Sequence, residues 1–327
     1  MKILLVNKYL YRKGGAETYF IKLGEYLKSL GNEVEYFGMA DERNCVGNRV
    51  EAYTENIDFH KKSLKHITYP FKIIYSVNAR KQIRKVLSNF KPDVVHLNNF
   101  NYQLTPSIIY EIKKHNIPIV YTAYDVQLVC PNHKLKNDYT DGLCRKCDGG
   151  KYFECVKNNC VHSSKIRSIL GAVEAWYYKL RHTYKMIDLT VCPSEFMEKE
   201  ISRNDDINGR TVTMYNFIDE IKPLGAECEN YVLYFGRYSE EKGISNLVKA
   251  AKKLSNIPFV FAGKGELENE VNSADNIKNV GFKTGDELRN IIEKALFTVL
   301  PAEWSENCPF SVMESQSLMT PVLGAKI

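Results

Sequence analysis

One rhythm constrains this chain more than any other feature: a short apolar run followed by a stretch of helical spacing, repeated in two series on either side of a turn-rich, proline-containing linker. Strands joined by helices run parallel, because a parallel pair needs a crossover of a dozen or so residues, so each series implies a parallel sheet with helices on its faces. In the first series residues 2–6 read as a buried strand. A Gly14-Gly15 turn then leads into a helix with apolar Phe20, Leu23, Leu27 and Leu30, ended by Gly31. Further strands are expected at 33–37, 93–97, 117–122 and 187–192, with helices near 107–115 and 165–185. The second series opens at 231–235 and continues with strands at 259–262, 277–280 and 297–301. Its helices follow Gly243, follow Glu266 and start at Thr284, where Thr284 and Glu287 have capping-box spacing. At roughly 150 residues per domain the 327 residues suit two. The expected division is a domain at 1–215 carrying a cysteine-rich insertion at 126–162, a linker at 216–230 and a second domain at 231–327. That second series stops about one strand into its last third, so an incomplete second domain and a C-terminally truncated chain are expected.

Composition removes several classes. With 44% hydrophobic and 26% charged residues the chain has ample core, which excludes disordered and collagen-like proteins. No apolar run approaches the ~18 residues of a membrane span. Residues 1–6 fall short of a signal-peptide core, and a cytoplasmic location is expected. Reducing thiol pools there disfavour structural disulfides, so the nine cysteines need a metal, redox or packing explanation. Five follow the pattern Cys130-x13-Cys144-x2-Cys147-x7-Cys155-x4-Cys160. A structural zinc on Cys144, Cys147, Cys155 and Cys160 is the leading reading, with His133 and His162 as substitute ligands. An iron-sulfur cluster, redox disulfides and unliganded thiols are the alternatives. A bound metal would hold a long loop together near the acceptor side and is given no catalytic role.

The net charge of +6 is modest, but its distribution is uneven. Segment 61–91 contains Lys61, Lys62, Lys65, Lys72, Arg80, Lys81, Arg84, Lys85 and Lys91, no Asp or Glu, and interleaved Tyr69, Phe71 and Tyr75. Such a face suits either solvent or an anionic membrane, at about 1 kcal/mol per basic residue near the surface. No nucleic-acid motif accompanies the charge, so no nucleic-acid partner is expected. Trp176-Tyr177-Tyr178 reads as core or domain-interface packing.

Two stretches carry chemistry. In Phe235-Gly236-Arg237-Tyr238-Ser239-Glu240-Glu241-Lys242-Gly243 a strand end meets two basic residues and a helix start, which is either a phosphate site or a solvated loop. In Glu306-Asn307-Cys308-Pro309-Phe310-Ser311-Val312-Met313-Glu314 two carboxylates lie eight positions apart across a loop-to-helix junction. There Phe310 and Ser311 offer amides to an anion while Glu306 and Glu314 can hold sugar and ribose hydroxyls. Alone, the two acids are also compatible with a solvated pair.

These stretches resemble family 4 glycosyltransferases, which have the α/β GT-B fold of two facing Rossmann-like domains. The resemblance also takes in Gly14-Gly15-Ala16-Glu17, Asn216-Phe217-Ile218-Asp219, Gly263-Lys264-Gly265 and Val280-Gly281-Phe282, and covers essentially the whole chain. It implies a retaining transferase moving a sugar from a UDP- or GDP-sugar to a saccharide or lipid-linked saccharide, in bacterial surface polysaccharide synthesis at the inner face of the membrane. Arg237 and Lys242 would grip the diphosphate, Glu314 the ribose and Glu306 the transferred sugar. Gly263 and Gly265 with Val280 and Phe282 would lie on the base side, and Gly14 and Gly15 would let the backbone approach the donor. The leaving phosphate would itself take the acceptor's proton, and the absence of Asp-x-Asp fits transfer without a catalytic metal. One departure stands out: relatives carry His-Asp after the 117–122 strand where this chain has Tyr124-Asp125, which leaves a hydrogen-bonding phenol and a carboxylate without the imidazole. The alternatives are a zinc-stapled nucleotide-sugar-binding protein without turnover and a GT-B nucleotide-sugar epimerase.

Overall fold

A computed structural model describes residues 1–56, 69–136 and 142–326. Lys61, Lys62 and Lys65 of the basic segment lie outside the described residues. The chain forms two compact units, Met1–Tyr215 and Asn216–Ile327.

In the first unit the order is β1 (Lys2–Val6), α1 (Gly15–Ser29), β2 (Glu33–Phe37), α2 (Tyr69–Ile74), α3 (Val77–Phe90), β3 (Val94–Leu97), α4 (Ser107–Lys114), β4 (Ile119–Thr122), α5 (Phe153–Lys157), α6 (Lys165–Leu180), β5 (Leu189–Cys192), α7 (Glu195–Ile201) and β6 (Thr211–Thr213). The second unit adds β7 (Val232–Arg237), α8 (Ile244–Lys253), β8 (Phe259–Lys264), α9 (Glu268–Val271), β9 (Ile277–Asn279), α10 (Gly285–Lys294), β10 (Phe297–Leu300), α11 (Phe310–Ser317) and β11 (Val322–Gly324). All paired strands are parallel, in the orders β2-β1-β3-β4-β5-β6 and β11-β10-β7-β8-β9. This is the expected α/β class.

Successive side chains of a strand face opposite ways, and both faces of these sheets are covered. Leu4 and Val6 of β1 join the core shared with α3 and α4, whereas Ile3 and Leu5 pack with Phe20 and Ile21 of α1. In β7, Val232 and Tyr234 meet α8, while Leu233 and Phe235 join the cluster that holds Ile292 of α10. Near-continuous apolar runs are the consequence, and they are why the strands can be read from sequence. In each sheet the order reverses beside the first strand of its series, at β1/β3 and at β7/β10, and an open parallel sheet takes ligands outside the carboxyl ends of its strands at such a point.

Several expectations are corrected. The Thr284–Glu287 capping box does not form: Thr284 caps α10 without a side-chain bond, and the Glu287 carboxylate pairs with Lys283 at 3.3 Å. The helix from 165 stops at Leu180, because His182 takes a left-handed conformation (φ 47°) and a short 3-10 turn, Thr183–Met186, follows. In the cluster read as packing, Tyr178 is buried but Trp176 is exposed. The basic segment is not a uniform free face. Arg80 (2.8 Å) and Arg84 (2.6 Å) both reach the buried Glu111 of α4, which arrives from outside the acid-free stretch. Lys81, Lys85 and Lys91 remain exposed.

Candidate functional site

At the carboxyl end of the second sheet, β7 and β8 run side by side to their tips, with Gly236 opposite Gly263 and Arg237 opposite Lys264. Glycine is required there for room: a Cβ on Gly263 would lie 1.9 Å from the Gly236 carbonyl, and one on Gly265 would lie 2.2 Å from that of Tyr238. Gly243 starts α8 with φ 72°, and its Cβ would lie 1.8 Å from the Pro301 carbonyl. The helix start and the β10–α11 loop are therefore in backbone contact.

That approach brings the cations to the carboxylate loop. Lys242 makes an ion pair with Glu306, and the Trp304 indole N–H donates to the same carboxylate at 2.8 Å. The ammonium also lies 5.7 Å from the Trp304 ring centre. Arg237 is mostly exposed, held at 3.1 Å by Glu241 one turn on. The loop is tied to the start of the unit by Asn216, whose side-chain amide donates to the Cys308 carbonyl at 3.1 Å. Phe310 and Ser311 open α11 directly after it, and Glu314 lies in the second turn of that helix. At the tips of β8 and β9, Val280 donates to Phe261 of β8. The Phe282 ring is exposed, with the Lys264 ammonium 5.3 Å from its centre. Fixed cations, helix-start amides and two carboxylates at one sheet edge can hold a diphosphate and several hydroxyls.

The first unit has its own polar cluster at the ends of β1, β3 and β4. Gly14 caps α1 and its carbonyl accepts from both the amide and the hydroxyl of Thr18; Gly15 is the first helical residue. Tyr124 packs edge-on to Tyr19 at 5.9 Å. Asp125 accepts from the Gln127 amide at 2.9 Å and from Asn101 at 3.2 Å, and lies 3.4 Å from the His133 ring. Lys8 donates to Asn101 at 2.9 Å, and Tyr102 stacks on His133. Burial lowers the Lys8 ammonium to about 8 and pushes the nearby Glu174 carboxyl up to about 7. Burial alone would raise Asp125, yet the adjacent imidazole holds it below the usual carboxylate range. Sequence reasoning missed Lys8, Asn101 and Glu174 and gave His133 another role. The polar run Asn98-Asn99 before Asn101, just past a strand, was a usable signal; nothing in the helix around Glu174 was.

The matches to known families divide where the units divide. Residues 13–221 match the family described as Glycosyltransferase Family 4, and residues 217–327 match the one described as Glycosyl transferases group 1. The chain belongs to glycosyltransferase family 4. Relatives of this glycosyltransferase include a Klebsiella pneumoniae protein described as an uncharacterized 42.6 kDa protein in the cps region, 25% identical over 94% of this chain and 80% of that one. Another, an uncharacterized glycosyltransferase of Methanocaldococcus jannaschii, is 21% identical over 51% of this chain and 48% of its own length. In fold, the glycosyltransferase matches Anabaena HepE solved in complex with UDP, with a TM-score of 0.65 at 16% identity over all of this chain and 81% of that one. Sucrose-phosphate synthase from Thermosynechococcus elongatus gives 0.67 at 15% identity, over all of this chain and 81% of its own. The fold is GT-B.

The zinc expectation is not supported. Cys130, Cys144, Cys147, Cys155 and Cys160 of this glycosyltransferase do line one small pocket. Among the described residues, however, no group of three or more His, Cys, Asp or Glu is set to hold a metal ion. None of the five is in a disulfide. Burial pushes the Cys147 thiol up to about 12 and raises Cys130, Cys155 and Cys160. The pocket reads as thiol packing that staples the insertion.

Proposed function

We propose that this glycosyltransferase is a retaining enzyme that moves a sugar from a UDP- or GDP-sugar to a saccharide or lipid-linked saccharide, in the synthesis of a bacterial surface polysaccharide. The observation that carries the donor assignment is the convergence of Lys242 on Glu306 beside the start of α11, with Arg237 at the neighbouring strand tip. Negative charge grows on the diphosphate as the glycosidic bond breaks, and cations already aimed at it stabilise the transition state more than the ground state. In this reading Arg237, Lys242 and the Phe310 and Ser311 amides take the diphosphate, Glu314 the ribose and Glu306 the transferred sugar. Gly263, Gly265, Val280 and Phe282 border the base. Incoming phosphate would draw Lys242 away from Glu306 and free that carboxylate for sugar hydroxyls. Asp125 with Tyr124, and the Gly14-Gly15 turn, serve the reacting sugar from the first unit, and the leaving phosphate takes the acceptor's proton on the same face. The HepE complex with UDP supports a uridine donor, and the cps-region relative supports polysaccharide synthesis. No helix among the described residues is long and apolar enough to cross a membrane; work at the cytoplasmic face of the membrane is part of the proposal.

The test is a thermal-shift panel of UDP-, GDP- and ADP-sugars followed by a transfer assay, because a ligand that binds only the native state raises its melting temperature. One nucleotide class should stabilise the protein and the shift should vanish in Glu314→Ala. If no nucleotide sugar stabilises the wild-type chain, the donor assignment is wrong.

A further inference from the structure

Helix α6 turns apolar side chains to solvent in a pattern that the core does not use. Residues three and four apart share one helix face, and Ile166, Ile169, Val173, Trp176 and Leu180 follow that spacing. Ser168, Ala172 and Tyr178, the residues through which α6 is buried, fall outside that stripe. The five are exposed to between 36% and 80%. Single exposed apolar residues are ordinary, whereas a contiguous stripe on a helix marks a surface that something covers. Phe153 of α5, the helix packed beside α6, is exposed as well.

Charge says what covers it. Residues 142–182 contain eight basic side chains and three acids. Two of those acids are occupied within the fold: Asp148 pairs with Arg203, and Glu174 interacts with His133 and Asp125. Lys165 is exposed at the start of α6 and Lys179, half-buried against Gly150, lies near its end, and neither forms an ion pair with a carboxylate among the described residues. Trp176 fixes its indole N–H on the Gly150 carbonyl at 3.0 Å and leaves part of its ring outward. An apolar stripe with a basic border and a half-exposed indole is the composition of a helix that lies in a membrane interface, with lysine stems beside the acyl chains and ammonium groups among phosphates. A second protein copy would bring its own identical positive border to the same contact.

We propose that α6, with α5 beside it, is a membrane-docking face that lays this stripe onto an anionic bilayer. It is separate from the basic segment at 61–91 and involves only the first unit, so it does not depend on the donor-site reading.

Flotation of the full chain with phosphatidylcholine vesicles, with and without about 30% phosphatidylglycerol, tests it. In a Trp304→Phe background Trp176 is the sole tryptophan, and its emission should shift to the blue on the anionic vesicles alone. The double variant Ile169→Glu/Leu180→Glu should lower the bound fraction at least about tenfold, and Lys165→Gln/Lys179→Gln, which leaves the apolar residues in place, should weaken binding at low salt and make its loss with added salt shallower. Both should melt within a few degrees of wild type. Failure of the wild type to bind anionic vesicles overturns the proposal, as does equal binding by the Ile169→Glu/Leu180→Glu variant. A dimer by light scattering that this variant disperses, without vesicle binding by wild type, assigns the stripe to a second copy and overturns it too. Nucleotide-sugar stabilisation measured on wild type and on the α6 variants with Trp304 intact reports separately on the donor site.

Discussion

Gly243 shows how one position can be fixed twice, by its positive φ of 72° and by the Pro301 carbonyl 1.8 Å from where a Cβ would sit. Gly243→Ala should therefore cost more than about 2 kcal/mol. Gly31, at φ 83° with open space around it, should lose only about 1 kcal/mol in Gly31→Ala. Urea titration of the two variants measures the difference, and equal losses would show that the contact with Pro301 does not matter. Lys242 sits on the same turn and was legible because a basic residue before a helix-starting glycine is a local signal. Its partner Glu306, 64 residues away, was legible only as one of a pair of acids. Lys242→Ala should lower kcat/KM at least about 100-fold, the scale of losing one preorganised charge-stabilising group. Steady-state kinetics on the nucleotide sugar that stabilises the protein would show it, and a change below threefold would remove Lys242 from the diphosphate site.

At the scale of elements, α3 is held at its start and along its side. The Ser76 hydroxyl accepts from the Ala79 amide at 3.1 Å, and Ser76 itself is buried. Ser76→Ala should cost about 1 kcal/mol by loss of the cap, measured by chemical denaturation. Along its side, Arg84 and Arg80 hydrogen-bond Glu111 and hold its carboxyl down to about 2, against about 4.3 for an unperturbed glutamate. A carboxyl whose folded pKa is lowered adds stability above its unfolded value, and that stability is lost as pH falls through about 2. Glu111→Gln should therefore melt well below wild type at pH 7, with the gap closing towards the acid limit; a constant gap would mean that packing, not charge, joins α3 to α4. The periodicity of α3 follows from its sequence, but Glu111 belongs to a different helix, and no pattern within 61–91 could reveal it. The α6 stripe was missed for a related reason. Helical spacing of apolar residues says that a face exists, not which way it turns, and α6 is buried through small residues and Tyr178 instead.

Across the whole molecule, the two units have separate apolar clusters, and the chain's two tryptophans fall one in each, Trp176 in the first and Trp304 in the second. Wild type compared with Trp176→Phe, which keeps Trp304 on Glu306, can therefore follow the units apart. A nucleotide sugar at about 100 times its Kd stabilises the state that binds it by about 2.7 kcal/mol. The unfolding midpoint reported by Trp304 should rise more than the one reported by Trp176, and equal shifts would mean that the chain unfolds as one cooperative block. The sequence alone determined the class of each unit and singled out the residues proposed for the donor side. Strand runs, helical spacing, glycines at strand ends and charges beside helix starts are local, and a sheet buried on both faces leaves a continuous apolar record of itself. Tertiary structure alone decided the convergence of Lys8, Asn101, Asp125 and His133, the gathering of the five thiols around one pocket, the engagement of Arg80 and Arg84, and the outward turn of the α6 stripe. Each of these depends on which groups from distant segments share a low-dielectric space, and burial and pairing there, rather than residue type, set their charge and their role.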